Sequence, residues 1–149
     1  MTKLLLSILS ILTIMTGSAF AANGLGYWNN NVSERETVIV DAASNSIDVL
    51  NVFETEDDLR LSLTLKKKTK TKEEKAKQHL AVILLNISAD LLDPLEELSS
   101  SELALLQYIS NKSGPGATVG EAVAKIEDAI KTGVYLEGAK NLSEELSNR

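Results

Sequence analysis

Cysteine is missing from all 149 residues, histidine occurs once, at His79, and tryptophan once, at Trp28. Without cysteine there are no disulfides, no thiol nucleophile and no thiol to accept a lipid, so stability has to come from helix packing. A single histidine leaves acid–base catalysis and metal ligation without partners of the right type. Basic charge is also short: 15 Lys and Arg stand against 21 Asp and Glu, a formal net charge of −6. That field repels nucleic acid and anionic membrane, and neither is expected as a partner. The serines form no G-x-S-x-G elbow, and a Ser-His-Asp triad would have to recruit His79 without support. The acid pairs Asp57-Asp58 and Glu96-Glu97 reflect an acidic composition rather than a glycosidase site. No EF-hand loop is present, and Asp90 and Asp93 around Leu91-Leu92 read as helix-flanking acids rather than calcium ligands. The expectation is a non-catalytic protein with no cofactor and no metal.

The first twenty-one residues carry the clearest signal. Met1-Thr-Lys3 supplies one positive charge, Leu4 to Met15 is largely apolar, and Ala19-Phe20-Ala21 has the small-x-small form of a cleavage site. That order is a secretory signal peptide, and its apolar run is shorter than the roughly 20 residues a spanning helix needs. Residues 1–21 are therefore expected to be removed after Ala21, leaving an exported product with no membrane span. It would be secreted or extracellular, with room for association at the cell surface.

The remainder reads as one mainly α domain: a small bundle of four to five helices (55–149) joined to a loop-rich N-terminal segment (22–54), with room for one short strand pair. Ala22 to Val32, ANGLGYWNNNV, has loop chemistry around an aromatic pair. Glu36 to Val40, ETVIV, leans toward a short strand, and a helix from Ser46 through Phe53 is also allowed by Ile47, Leu50 and Phe53. Thr55 with Asp58 offers a helix start, although Leu59, Leu61, Leu63 and Leu65 alternate in a strand-like way. Lys66 to Lys72 holds five lysines in seven positions. With no interleaved aromatics, and with Glu73 and Glu74 following at once, it reads as a solvated connector.

Thr71–Glu74, Ser99–Glu102 and Thr118–Glu121 are three capping boxes, each opening a helix. Leu80 to Ile87 is apolar on every side and is expected to form the central core helix. Pro94 breaks the connection from Ser88 to Leu98, and Asn111 to Gly116 is the plainest loop. The helix after Thr118 carries Val119, Val123, Ile126 and Ile130 on one face, and Gly133 stops it. Tyr135, Ala139, Leu142 and Leu146 then form the stripe of a last helix, which should pair with the one before it and clamp over the core.

Tyr27 and Trp28 are the candidates for recognition. Amphipathic rings in a Gly/Asn loop can stack on sugar faces or anchor a protein interface, so a cell-surface protein or polysaccharide is the partner this reading allows. The alternative is that Trp28 folds back to plug one end of the helical core. Asn31, Asn86, Asn111 and Asn141 each open an N-x-S glycosylation pattern, although a core helix is no place for a sugar at Asn86.

Three segments in order resemble a secreted module of bacterial and archaeal surface proteins. Gly26-Tyr27-Trp28-Asn29-Asn30 is similar to its GYWKN opening. Leu63 to Asn86 is similar to its connector and AKxQLAALLLN helix. Thr118 to Ile130, followed by Ala139-Lys140-Asn141-Leu142, resembles its TVGEAIA and AKxL helices. Asn29 stands where that module often has Lys, and Lys67 where it often has Gly. The resemblance implies location and architecture, structural or adhesive work outside the cell, and no catalytic residues.

Overall fold

The computed structural model describes residues 23–44, 52–110 and 114–149. Its elements run in order α1 (Leu25–Asn30), α2 (Val32–Ser44), α3 (Glu56–Thr64), α4 (Lys72–Ser88), α5 (Ser100–Ile109), α6 (Val119–Thr132) and α7 (Leu136–Leu146). The leader, most of the segment Ser46 to Phe53, and Asn111 to Ser113 lie outside the described residues.

Local chemistry sets most helix starts. The side chain of Thr55 accepts from the Asp58 amide at the head of α3. Thr71, Ser99 and Thr118 head full capping boxes, each with the glutamate three residues on accepting from the cap's own amide. Two otherwise orphaned donors are satisfied at each of those ends. Gly133 ends α6 in the left-handed region, at φ 71°.

The fold is mainly α, but the described residues hold seven helices rather than four to five. Two additions account for the difference, and both fall in the segment expected to be loop-rich. Gly/Asn residues around Tyr27 form α1, and ETVIV lies inside α2 rather than in a strand. Within α2, Arg35 and Ile39 are buried four residues apart while Val32 and Val40 are exposed. That spacing puts one face of a helix onto the core, and packing overrides the β-branched preference. The strand pair is absent among the described residues. In its place a single antiparallel bridge joins Glu97 and Thr118, with the Leu98 amide donating to Ala117 and the Val119 amide to Glu96. The alternating leucines also resolve as helix, with Leu59 and Leu63 buried and Leu61 67% exposed.

α4 is the shared centre. Its residues Leu80 to Leu85 are buried on all sides because α2 and α3 pack on one flank, α6 and α7 on the other. One cluster of buried side chains runs from Trp28 to Leu146, across the division at Thr55. α4 ends in a Schellman motif: the Asp90 amide donates to Ile87 and the Leu91 amide to Asn86, with Asp90 itself at φ 55°. A left-handed aspartate costs about 1 kcal/mol relative to glycine.

Two glycines mark close approaches. At Gly120 the amide donates to the Pro94 carbonyl, and a Cβ would sit 3.1 Å from that oxygen. At Gly138 in α7 a Cβ would meet Ile109 and Tyr108 of α5 at 2.9 Å. The stripe on α7 holds for Ala139, Leu142 and Leu146, all buried. Tyr135 departs from it: the residue caps α7 at φ 59° and is 55% exposed.

Candidate functional site

Trp28 is fully buried, and its indole Nε1 donates to Asn86 Oδ1 at 3.0 Å. Asn86, on α4, also accepts from the Asn23 amide (3.2 Å) and donates through Nδ2 to the Asn23 carbonyl (3.0 Å). A buried carboxamide thus ties α1 and the chain before it to the central helix, with its donor and acceptor both used. The ring offers no face to a ligand, and Asn86 offers none to a sugar. Tyr27 is half-buried, edge-on to Trp28 with ring centroids 5.3 Å apart. Its hydroxyl donates to the Glu34 carboxylate, and that hydrogen bond, partial burial and the adjacent negative charge hold its pKa above the ordinary value. The structure keeps Tyr27 and Trp28 in edge contact, with Trp28 wholly inside the core.

The single histidine is also turned inward. His79 Nδ1 lies 2.8 Å from Ser147 Oγ, and that hydroxyl donates to the Glu144 carbonyl. With the serine hydrogen so used, Nδ1 carries the proton and donates to the serine. Burial pushes the His79 pKa down, with nearby Lys70, Lys140 and Lys75 adding to it against Glu144.

The lysine connector is knitted into the fold. Lys67 pairs with Glu74 at 2.7 Å, Lys70 donates to Gln78 Oε1 at 2.5 Å, and Lys72 pairs with Glu137 at 2.9 Å. Lys140 reaches the same Glu137 from within α7 (2.9 Å). Between the two lysines its carboxyl is held down to about 2. Arg149 clasps the buried Glu102 of α5 through Nε (2.6 Å) and Nη2 (2.5 Å), while Nη1 lies 2.8 Å from the Glu96 carboxylate. Burial alone would raise the Glu102 pKa; Arg149 and the Ser99 cap outweigh it and the pKa falls. Among the described residues no group of three or more His, Asp and Glu is placed to hold a metal, and no helix is long and apolar enough to cross a membrane.

One corner is different. Tyr108 near the end of α5 is 68% exposed, and Val134 and Tyr135 at the head of α7 are 51% and 55% exposed. Tyr108 rests against the bare backbone of Gly138, one helical turn beyond Tyr135. On one side of that contact runs an open groove of about 560 Å³ floored by Ala104, Leu105 and Gly138 and edged by Asn141, Glu137 and Glu145. A separate, smaller hollow of about 120 Å³ lies between Ile109, Lys125, Asp128, Thr132 and Tyr135.

No family model, curated protein or solved structure matches this chain. The arrangement of its own residues therefore carries the argument. In the sequence Asn141 stands out for its N-x-S pattern, and Tyr135 falls on the apolar stripe of the last helix. The signal for Tyr135 was its place two residues after Gly133, where a helix has stopped and the next has not begun.

Proposed function

We propose that the chain is an exported, non-catalytic module that works outside the cell or at its surface, in a structural or adhesive role. The observation that carries this reading is the order of charge, apolar run and Ala19-Phe20-Ala21 in the leader. The resemblance of the GYW, AKxQL-like and TVGEA segments to secreted surface modules points the same way. The construction of the core supports it too. A chain without disulfides gains durability from a central helix covered on both flanks, three capping boxes and ion pairs that close the ends of the bundle. His79 and the buried Glu102 are each spent on an internal partner.

Expression of the full chain with a C-terminal tag, followed by fractionation and N-terminal sequencing, tests the reading. The expected product lies outside the cytoplasm and begins at Ala22, and Leu9→Arg in the apolar run keeps it inside. A full-length product retained in the cytoplasm would contradict the proposal.

A further inference from the structure

We infer that Asn31 is the attachment site of an N-linked glycan on the exported protein. The inference rests on the reading of the chain as exported, because the glycosyl donor it needs, an oligosaccharide carried on a lipid diphosphate, is met on the far side of the export membrane.

Asn31, Asn86, Asn111 and Asn141 each open an N-x-S acceptor pattern, and all but Asn111 fall among the described residues. The fold sorts those that do. Asn86 is fully buried, with its carboxamide taken by the Trp28 indole and the Asn23 backbone. A sugar there would displace the lock that holds α1. Asn141 is half-buried within α7, and the hydroxyl of its Ser143 is enclosed and donates to the Lys140 carbonyl. Residues two apart on a helix point to different faces, so neither Asn86 with Ser88 nor Asn141 with Ser143 can present carboxamide and hydroxyl together.

Asn31 is placed otherwise. It is the single residue between α1 and α2, at φ −100° and ψ 62°, outside the helical region of the backbone. Asn31 and Ser33 are both exposed, and the Ser33 hydroxyl makes no hydrogen bond among the described residues. The neighbouring Val32, 49% exposed, shows that the whole tripeptide faces solvent. Asn31 Nδ2 donates to the Tyr27 carbonyl at 2.9 Å. A carboxamide nitrogen carries two hydrogens, and a glycosylated one keeps one of them, so the sugar and this bond are compatible. In the transfer, Nδ2 forms a bond to the anomeric carbon of the oligosaccharide and gives up one proton. The bond from that carbon to the lipid diphosphate breaks, and the lipid diphosphate leaves with the electron pair. A separate transferase supplies the catalysis, and this chain supplies the acceptor.

The test is intact-mass and glycopeptide mass spectrometry of the protein recovered from its own cells. The peptide holding Asn31 should carry a glycan, and those holding Asn86 and Asn141 should carry none. Asn31→Gln and Ser33→Ala should each abolish the modification, and Ser33→Thr should retain it. Ser33→Ala is the decisive variant, because it leaves the asparagine and the bond from Thr37 to the Ser33 carbonyl in place. Its helix content, read by circular dichroism, should be unchanged, which separates loss of the acceptor from loss of the fold. A bare Asn31 on the exported product, a glycan that survives in Ser33→Ala, or a glycan on Asn86 or Asn141 in place of Asn31 would overturn the inference. Fractionation and N-terminal sequencing of the same samples keep the two readings apart. A product that begins at Ala22 and is bare at Asn31 sinks the glycan site alone, whereas a full-length product retained in the cytoplasm sinks both.

Discussion

The two flanks of α4 are held by different kinds of force. On the C-terminal flank, α6 and α7 lay apolar stripes on the central helix, and each residue of Val119, Val123, Ile126, Ile130, Ala139, Leu142 and Leu146 is buried. On the N-terminal flank polar groups reach inside: Trp28 and Asn23 on Asn86, and Gln78 Nε2 on the Leu63 carbonyl at 3.0 Å. Outside them, Arg60 bridges Glu36 of α2 (2.6 Å) to Glu56 (2.9 Å) and Asp57 (2.9 Å) of its own helix. Apolar stripes are tolerant of small shifts because dispersion and hydrophobic burial are non-directional. A buried hydrogen-bonded lock is not, since either partner left alone bears the full desolvation cost.

The contrast can be broken most forcefully on the C-terminal flank. Leu142→Ala empties a fully buried site against α4 and should cost about 2–5 kcal/mol, read as a lower denaturation midpoint across the whole molecule. On the N-terminal flank, Asn86→Leu keeps the volume but orphans the Trp28 indole and the Asn23 amide. The expected loss is about 2–3 kcal/mol. Its signature is local as well, because amide exchange should accelerate in α1 before it does in α6 and α7. Gly138→Ala tests how tightly α5 and α7 meet. A Cβ 2.9 Å from Ile109 and Tyr108 must displace two side chains, at about 1–2 kcal/mol.

Acid sharpens the comparison differently. The His79 pKa is depressed by folding, so its contribution is complete above about 6.5 and is lost as pH falls toward the folded value. Glu102 and Glu137 are also depressed; their contribution holds above the ordinary carboxylate range and is lost as pH falls through the folded values, about 2 for Glu137. Melting temperature should therefore decline in two stages on acidification. His79→Gln should flatten the first stage and leave the second. The smallest expected effect has the opposite sign: Asp90→Gly relieves the left-handed aspartate after α4 and should stabilise by up to about 1 kcal/mol.

The same division governs what could be read in the sequence. The starts of α4, α5 and α6 are local: Thr71 and Glu74, Ser99 and Glu102, and Thr118 and Glu121 stand three residues apart, so their caps were legible without a fold. Trp28 and Asn86 are 58 residues apart, and nothing near either names the other. The β-branched ETVIV run misled for the same reason, since the helix it joins is specified by the surface it covers rather than by its own preferences. At the candidate site the difficulty was geometric. Tyr135 falls in register with Ala139, Leu142 and Leu146, and only the turn after Gly133 swings it out to solvent.

The central claim is that Trp28 is a structural plug locked to Asn86. As the only tryptophan it reports on itself, and its fluorescence in the native protein is the most direct test. The account predicts a blue-shifted emission shielded from iodide and acrylamide, moving to the red and becoming quenchable in Asn86→Leu. A red-shifted, quencher-accessible tryptophan in the native protein would contradict it.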